Sequence, residues 1–223
     1  SLLKPYRKKP ISLLEIGVNN GGSLEVYGRY FDKAKNIIGC DIDERCRQLD
    51  FADSRIKVVI GDANSNATKA EIAALSKSFD LIIDDGSHNS GDIIKGFISY
   101  FPLLSEGGIY VVEDLHCSYW QNWGGGLLHD NSAISFFKSL VDLVNYEHWG
   151  TPATHVEFLK YKHPGYQVAD LKNEIYSIQF FNSMCIITKG NSSLGPRVVA
   201  GAFDAVTPRG KHGSTIRSDE SRN

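Results

Sequence analysis

Five short apolar runs, separated by segments with helical periodicity, constrain the fold of this chain most strongly. They are rich in Ile, Val and Leu and lack regular polar alternation. Strands that are buried on both faces of a parallel sheet have this composition, and the segments between them then form crossover helices. The sequence therefore predicts a parallel α/β sheet. The predicted strands are residues 11–16, 36–41, 56–61, 79–84 and 108–113.

Helices are predicted in the segments around these strands. The clearest is residues 89–105, where apolar side chains recur at three- and four-residue spacing. Ser23 is expected to cap the first helix, because a hydroxyl can accept a hydrogen bond from a free backbone N–H in the first turn. The predicted helices are residues 23–31, 69–76, 89–105 and 131–149.

The C-terminal part of the sequence predicts a different arrangement. Residues 174–178 and 184–189 form two short β-like runs, which predict an antiparallel hairpin that closes the sheet. Apolar periodicity disappears after these runs. The predicted fold class is thus a Rossmann-like, doubly wound, mostly parallel α/β sheet with a C-terminal hairpin. We expect one domain at residues 1–190 and a polar, partly flexible tail at residues 191–223.

Composition excludes several kinds of partner and compartment. Lys and Arg number 24 against 26 Asp and Glu, so a net charge of −2 gives no reason to expect a nucleic-acid partner. No apolar run reaches the ~20 residues of a membrane-spanning helix, and none resembles a signal peptide. The four cysteines form no CxxC pair. We therefore expect reduced cysteines, a cytoplasmic protein and no membrane partner.

A glycine-rich turn follows the first predicted strand. Glu15, Gly17 and Gly21 form an E-x-G-x-x-x-G pattern, which departs from the G-x-G-x-x-G fingerprint of dinucleotide sites because Asn19 replaces a glycine. A looser turn with a nearby carboxylate suits a cofactor that ends in an ammonium group, as S-adenosylmethionine does. We expect Glu15 and the turn through Ser23 to bind the methionine end of that cofactor.

The ends of the next strands add further candidate cofactor contacts. Asp41 stands where an acid accepts hydrogen bonds from ribose hydroxyls in nucleotide-binding sheets. Asp62 is expected at the adenine amino group. Each signal is weak alone, since strand-end acids also serve as turn residues. The complete set of candidate cofactor residues is Glu15, Gly17, Asn19, Gly21, Ser23, Asp41, Ile42, Asp62, Ala63 and Asp84.

Two pairs of acids end the fourth and fifth predicted strands. Asp85 and Asp114 are expected to lie at the same edge of the sheet, where carboxylate oxygens suit a hard cation such as Mg²⁺. Glu113 is a possible third ligand, although a regular strand would turn it away from its neighbour. His88 follows Asp85 closely and could act as a general base.

Structural explanations compete with these functional ones. The acids at the fourth strand could cap the following helix, and Asp114 could pair with a lysine. A lone histidine after a strand is often structural. His116, Tyr119 and Trp120 could line an acceptor pocket or could simply pack within their loop.

Three motifs resemble one family. Residues 14–17, residues 83–88 (Ile-Asp-Asp-Gly-Ser-His) and residues 112–114 with the following Tyr119-Trp120 are similar to the metal-dependent O-methyltransferases of macrolide sugar tailoring, of the mycinamicin VI 2''-O-methyltransferase type. The related cephalosporin hydroxylase group shares the strand-end acids. The resemblance covers roughly residues 13–123.

The resemblance implies a class I S-adenosylmethionine-dependent methyltransferase fold of seven strands. It also implies Mg²⁺ on Asp85 and Asp114, and His88 as the catalytic base. Such enzymes often form oligomers in which an N-terminal auxiliary region lies near a neighbour's active site. The sequence begins only about ten residues before its first predicted strand, so we do not expect that region within it.

The expected function is therefore Mg²⁺-assisted methyl transfer from S-adenosylmethionine to a hydroxyl of a sugar or small natural product. The expected partners are a small-molecule acceptor and other copies of the chain, as a homo-oligomer. Two alternatives remain open at this point. One is an NAD-dependent sugar-nucleotide oxidoreductase or epimerase, and the other is a non-catalytic cofactor-binding module.

Overall fold

A single sheet of seven strands runs through the computed structural model, which describes residues 2–168 and 175–190. The apolar runs that the sequence predicts as strands form its central part. The strands are β1 (Ser12–Ile16), β2 (Asn36–Asp41), β3 (Ile56–Ile60), β4 (Phe79–Asp84), β5 (Leu104–Val112), β6 (Ile175–Phe181) and β7 (Met184–Lys189).

The strand order is β3-β2-β1-β4-β5-β7-β6. The first five strands of the chain are parallel, and β7 joins β5 in antiparallel register, with Val112 opposite Cys185. Chain direction across the sheet reverses between β1 and β4, which creates the switch point where open α/β sheets bind ligands. The predicted fold class, with its C-terminal antiparallel strands, is confirmed.

Helices cover both faces of the sheet. They are α1 (Gly22–Tyr30), α2 (Asn66–Leu75), α3 (Ser90–Tyr100), α4 (Ala133–Val144) and α5 (His155–Lys162). Leu24 of α1 packs into the hydrophobic cluster on one face, whereas α2 to α5 contribute to the cluster on the other. Because successive side chains of a strand point to opposite faces, Leu13 and Leu14 of β1 belong to different clusters.

Aromatic rings fill the larger cluster. Phe97 of α3 is fully buried and contacts four other rings, with centroid separations from 4.8 to 5.9 Å. Ring pairs at this range stabilise a core beyond the area they bury. This packing fixes α3 against β5 and so fixes the loop that precedes α3. The four rings belong to Phe101, Tyr110, Phe136 and Phe137.

The helix predicted at residues 89–105 is shorter in the structure. It ends at Tyr100, and a single 3₁₀ turn, Phe101–Leu103, leads directly into β5 at Leu104. Pro102 explains the difference, because proline lacks the N–H that an α-helix needs in its interior. Strand β5 consequently begins four residues earlier than predicted.

Ser23 does not cap the first helix, contrary to the prediction. Gly21 is the N-cap, with a φ of 79°, and helix α1 begins one residue before Ser23. The Ser23 hydroxyl donates a 2.6 Å hydrogen bond to Oε2 of Glu15 instead. The Ser23 hydroxyl therefore bonds to the buried Glu15 and does not cap the helix.

Other helix ends also differ from the prediction. Helix α2 begins earlier because Ser65 caps it by accepting a hydrogen bond from the N–H of Thr68. Helix α4 stops at Val144, well before the predicted residue 149. Helix α5 was not predicted, although a capping box between Thr154 and Glu157 marks its start.

The C-terminal hairpin has the predicted position and a two-residue turn at 182–183. Residue 174 of its first predicted strand lies outside the described residues, as do residue 1 and the predicted tail at 191–223. All four cysteines are buried and free. Within the described ranges, no helix has the length and apolarity needed to cross a membrane.

Candidate active site

A cavity of about 670 Å³ opens at the carboxyl ends of the central strands. Its lining comes from the ends of β1, β2, β3, β4 and β5 and from the start of α3. Cofactor sites have volumes of this order, roughly 300–1,000 Å³. The cavity lies at the switch point between β1 and β4, where the topology predicts a ligand.

The turn after β1 brings the backbone close to the loop after β4. Gly17 has a φ of 93°, and a Cβ atom at this position would lie 2.1 Å from the carbonyl oxygen of Asp85. Only glycine tolerates both this conformation and this approach. The first predicted cofactor turn and the first predicted metal ligand are therefore held together by backbone geometry.

Asp41, at the end of β2, fixes the same turn. Its Oδ2 accepts hydrogen bonds from the N–H groups of Val18 and Asn19, at 2.7 and 2.9 Å, and its Oδ1 accepts one from Asp43 at 2.9 Å. Burial opposes the charge of Asp41, but these three backbone hydrogen bonds outweigh it and lower the pKa of the carboxyl. A carboxylate offers about four acceptor positions, so Oδ1 retains one for a ligand hydroxyl.

Residues after β3 form the next part of the wall. Asp62 accepts a 2.8 Å hydrogen bond from the N–H of Asn64, which holds the turn before α2. Ala63 accepts a 2.7 Å hydrogen bond from the buried Tyr100 hydroxyl through its carbonyl. Ile42 is 72% exposed, so this apolar side chain is free to cover a ligand at the rim.

Asp85, His88 and Asp114 converge at the other end of the cavity. One ligand atom from each lies within 4.8 Å of the others, and all three residues line the cavity. Nε2 of His88 is 3.7 Å from Oδ2 of Asp114. Two carboxylate oxygens at such separations fit a divalent cation, and the imidazole nitrogen of His88 lies beside them.

Backbone strain is concentrated at this edge of the sheet. Among the described residues, five that are not glycine have positive φ. Asn19 (52°), His88 (54°) and Asp114 (49°) line the cavity, and Ser183 (65°) contacts Asp114. Such conformations cost of order 1–3 kcal/mol each and occur most often at functional sites.

Negative charges crowd one another around Asp85. Burial raises the pKa of Asp85, the His88 side chain lowers it, and the charge of Asp114 raises it further. Glu113 behaves similarly, since burial and then the charges of Asp85 and Asp114 raise its pKa. Glu113 is absent from the group of three and from the cavity lining, so its role as a third ligand stays a prediction.

Glu15 lies behind the wall of the cavity, so its predicted contact with the cofactor stays a prediction. It is 2% exposed and does not line the cavity. Burial raises its pKa to about 7, against the lowering effect of hydrogen bonds from Ser23 and Tyr27. Ser23 itself lines the cavity, so any influence of Glu15 on a ligand passes through this hydroxyl.

Asp84 is a second buried acid at the floor of the cavity. Burial raises its pKa to about 7, although its carboxyl accepts hydrogen bonds from the N–H of Gly86 and from the Tyr110 hydroxyl at 3.4 and 3.2 Å. A Cβ at Gly96 would come within 3.1 Å of its Oδ2. The glycine therefore allows α3 to pack closely over this carboxyl.

Aromatic side chains from the loop after β5 flank both histidines. The Trp123 ring lies 5.9 Å from that of His88, and the Trp120 ring lies 4.9 Å from that of His116 in an edge-on arrangement. Tyr119 and Trp120 are 42% and 51% exposed. None of these loop side chains lines the cavity itself, so an acceptor pocket formed by them stays a prediction.

Most predicted site residues line the same cavity, but Glu15, Gly21 and Glu113 do not. Those that do are Gly17, Asn19, Ser23, Asp41, Ile42, Asp62, Ala63, Asp84, Asp85, His88 and Asp114. Several further residues line the cavity without a role predicted from the sequence, among them Asn64 and Asp92. The acid at Asp92, in the first turn after a strand-end motif, was a usable signal. The contact of Ser183 with Asp114 spans 69 positions and left no local signal.

Comparison with known proteins agrees with the fold. A family model described as a methyltransferase domain matches residues 14–115, which span β1 to the loop after β5. The matched range includes the whole Asp85, His88 and Asp114 group.

Two relatives are O-methyltransferases by name. The chain is 30% identical over 223 residues to demethylmacrocin O-methyltransferase of Streptomyces fradiae, covering 95% of this chain and 53% of that protein. It is 26% identical over 224 residues to mycinamicin VI 2''-O-methyltransferase of Micromonospora griseorubida, covering 95% and 52%. The chain thus spans about half the length of these relatives.

A solved structure has the same architecture. The MycE methyltransferase from the mycinamycin biosynthetic pathway, in complex with Mg, SAH and mycinamycin VI, is 25% identical, with a TM-score of 0.68 over 89% of this chain and 50% of that one. The fold, the matched domain and the relatives agree. Residues 14–115 therefore match a methyltransferase domain within a Rossmann-like sheet, and the chain is similar to macrolide-sugar O-methyltransferases over about half of their length.

Proposed function

We propose that the protein transfers a methyl group from S-adenosylmethionine to a hydroxyl of a sugar or other small natural product, with a divalent cation, most simply Mg²⁺, at the site. One observation carries this proposal. The turn tied to Asp41 and the group formed by Asp85, His88 and Asp114 open on one cavity. A cofactor and a cation-bound acceptor could therefore bind next to each other in this cavity.

The residues on the cofactor side fit an adenosyl ligand. Asp41 is held in its charged form by three backbone N–H groups and keeps one acceptor position for a ribose hydroxyl. Asp62 and Ala63, beside the exposed Ile42, would take the adenine end. Gly17, Asn19 and Ser23 would contact the methionine end; Glu15 would act on it through the Ser23 hydroxyl.

The residues on the other side fit a hard cation. Asp85 and Asp114 offer carboxylate oxygens, and their mutual repulsion makes a cation favourable between them. Bound Mg²⁺ would lower the pKa of a coordinated hydroxyl, and S-adenosylmethionine would supply the activated methyl group. Glu113 stands close enough to affect this charge balance and remains a candidate further ligand.

His88 would take the proton of the acceptor hydroxyl. Its Nε2 lies 3.7 Å from Asp114, its ring lies beside that of Trp123, and imidazole is the side chain most often used as a general base. The other main requirement is alignment of acceptor and methyl group, which the rigid strand ends provide.

The acceptor and the assembly are also proposals. The relatives are named as O-methyltransferases of demethylmacrocin and of mycinamicin VI, and we infer a glycosylated macrolide or a similar sugar-bearing natural product as the acceptor of the present chain. Exposed aromatic and aliphatic side chains in the loop after β5 suit a partly apolar acceptor. We further infer that the protein acts as a homo-oligomer.

The direct test is calorimetric binding followed by a methylation assay. S-adenosylhomocysteine and NAD are titrated into the protein with and without Mg²⁺, and methyl transfer from labelled S-adenosylmethionine is then measured on a panel of glycosylated macrolides. We expect binding of S-adenosylhomocysteine, no binding of NAD and Mg²⁺-dependent labelling of at least one acceptor. Preferential binding of NAD would contradict the proposal and favour an oxidoreductase.

A further inference from the structure

We propose that Ser183, at the turn of the C-terminal hairpin, acts with His116 to hold Asp114 in the orientation that binds a cation. Both are positioning residues, since they act through Asp114 and do not line the cavity. The inference rests on the proposed function, because Asp114 needs a fixed orientation only if it binds a metal ion.

The two oxygens of Asp114 face different partners. Oδ2 is 3.7 Å from Nε2 of His88, on the cavity side. Oδ1 is 3.5 Å from the Ser183 hydroxyl, which donates a long hydrogen bond to it, and 3.8 Å from Nδ1 of His116. Oδ1 of Asp114 thus contacts Ser183 and His116, while Oδ2 faces the cavity.

A consistent set of hydrogen bonds connects these groups. The Ser183 oxygen lies 2.5 Å from Nδ1 of His116. A hydroxyl has a single hydrogen, so if Ser183 donates to Asp114 it must accept from Nδ1–H of His116. Nε2 of that ring is then an acceptor, and the thiol of Cys117 lies 3.8 Å from it. Each of these contacts then has one donor and one acceptor.

The backbone places Ser183 firmly against the loop after β5. Its carbonyl accepts a 2.9 Å hydrogen bond from the N–H of Leu115, the residue after Asp114. Strands β5 and β7 are paired up to Val112 and Cys185, only two residues from Asp114 and Ser183. The hairpin turn therefore cannot move far without breaking the sheet.

A held carboxylate matters because this region is crowded with negative charge. The Asp114 side chain is 51% exposed, and Asp85 repels it. Without these hydrogen bonds, the Asp114 carboxylate would turn toward solvent. Cation binding would then have to reorient it. Groups that orient a metal ligand in this way typically change metal affinity by 10–100-fold.

The test measures Mg²⁺ affinity by calorimetry in the presence of S-adenosylhomocysteine. Ser183→Gly is the main variant, since glycine removes the hydroxyl and accepts a φ of 65° without strain. We expect it to bind Mg²⁺ about 10–100-fold more weakly, with unchanged affinity for S-adenosylhomocysteine and an unchanged or higher Tm. Ser177→Ala, on strand β6 of the same hairpin, is the matched control and should bind Mg²⁺ normally.

His116 variants provide a second readout. His116→Ala should weaken Mg²⁺ binding, whereas His116→Asn should restore most of it, because the amide nitrogen of asparagine can take the place of Nδ1. Equal Mg²⁺ affinity in wild-type protein and Ser183→Gly would overturn this inference alone. Absence of Mg²⁺ binding by the wild-type protein would overturn the proposed function, and the inference with it.

Discussion

The edge of the sheet that carries the cavity has two halves with opposite electrostatics. At the ends of β1 to β3, Asp41 accepts three backbone hydrogen bonds, which lower its pKa and keep it charged. At the ends of β4 and β5, burial and neighbouring carboxylates raise the pKa of Asp85 and Glu113. In the first half, hydrogen bonds within the chain stabilise the negative charge. In the second half, neighbouring carboxylates leave an excess of negative charge.

The difference indicates a division of work. Under the proposed function, the backbone donors around Asp41 leave the first half ready to bind a neutral ribose hydroxyl without an ion. In the second half, the carboxylates repel one another, and a bound cation would offset this repulsion. Substitutions in the first half should therefore change cofactor affinity, and changes to the second half should alter metal dependence and turnover.

Removal of the cation is the largest expected effect and concerns the second half alone. Excess EDTA should abolish methyl transfer, and added Mg²⁺ should restore it, because the acceptor hydroxyl then regains its coordinating ion. Binding of S-adenosylhomocysteine, followed by calorimetry, should persist in EDTA. Full activity in the chelator would show that the crowded carboxylates do not serve a metal.

Replacement of His88 should lower turnover by about 10²–10⁴, the usual contribution of a general base. His88→Asn is the better variant, because asparagine tolerates the left-handed backbone at this position. Steady-state assays at saturating cofactor measure the loss, and the exposed His148→Asn serves as control. If turnover is unchanged, the base is another group.

Asp41→Asn should affect the first half. The loss of charge removes one strong acceptor for a ligand hydroxyl and weakens the turn, so we expect cofactor affinity to fall about 10–100-fold, from the ~1.5–3 kcal/mol of a charged hydrogen bond. Calorimetry with S-adenosylhomocysteine measures the change, and Mg²⁺ affinity should stay the same. Asp43→Asn, which retains an N-cap side chain, is the neighbouring control. If Asp41→Asn weakened Mg²⁺ binding as much as cofactor binding, the two halves would not bind their ligands independently, and this claim would be wrong.

The smallest expected effect concerns the buried Glu15. Its folded-state pKa of about 7 lies above the ordinary value of 4.5, so the native state binds the proton more tightly than the unfolded state. This contribution to stability is complete below pH 4.5 and is lost as pH rises to 7. Glu15→Gln should reduce the fall in the free energy of unfolding between pH 5 and 7 by about 2 kcal/mol, at 1.36 kcal/mol per pKa unit.

Urea denaturation in EDTA at these two pH values measures that change. Asp84 has a raised pKa of about 7 as well, so part of the fall should remain in the Glu15→Gln variant. A pH dependence identical to that of the wild-type protein would mean that Glu15 is already charged in the folded state.

Sequence patterns were sufficient for the sheet and for most of the cavity. The apolar runs located the five parallel strands, and the strand-end acids located Asp41, Asp85 and Asp114, because parallel strands end at one edge. The wrong predictions of helix ends arose where one residue overrode the local pattern. Pro102 ended α3 early, and Glu15 took the hydroxyl of Ser23 away from capping.

Contacts between distant segments could not be predicted in this way. Whether Glu15 faces the cavity depends on which side of β1 it occupies, and a one-residue difference reverses that side. The approach of Ser183 to Asp114 depends on the order of β5 and β7 in the sheet. Neither fact has a signature in the adjacent residues.

The most direct test of the metal site is diffraction from crystals grown with Mn²⁺ and S-adenosylhomocysteine, with anomalous data collected for manganese. We predict a peak bounded by the carboxylates of Asp85 and Asp114, on the side of His88 and next to the adenosyl ligand. An anomalous map with no peak between these carboxylates, while S-adenosylhomocysteine occupies the cavity, would contradict the account.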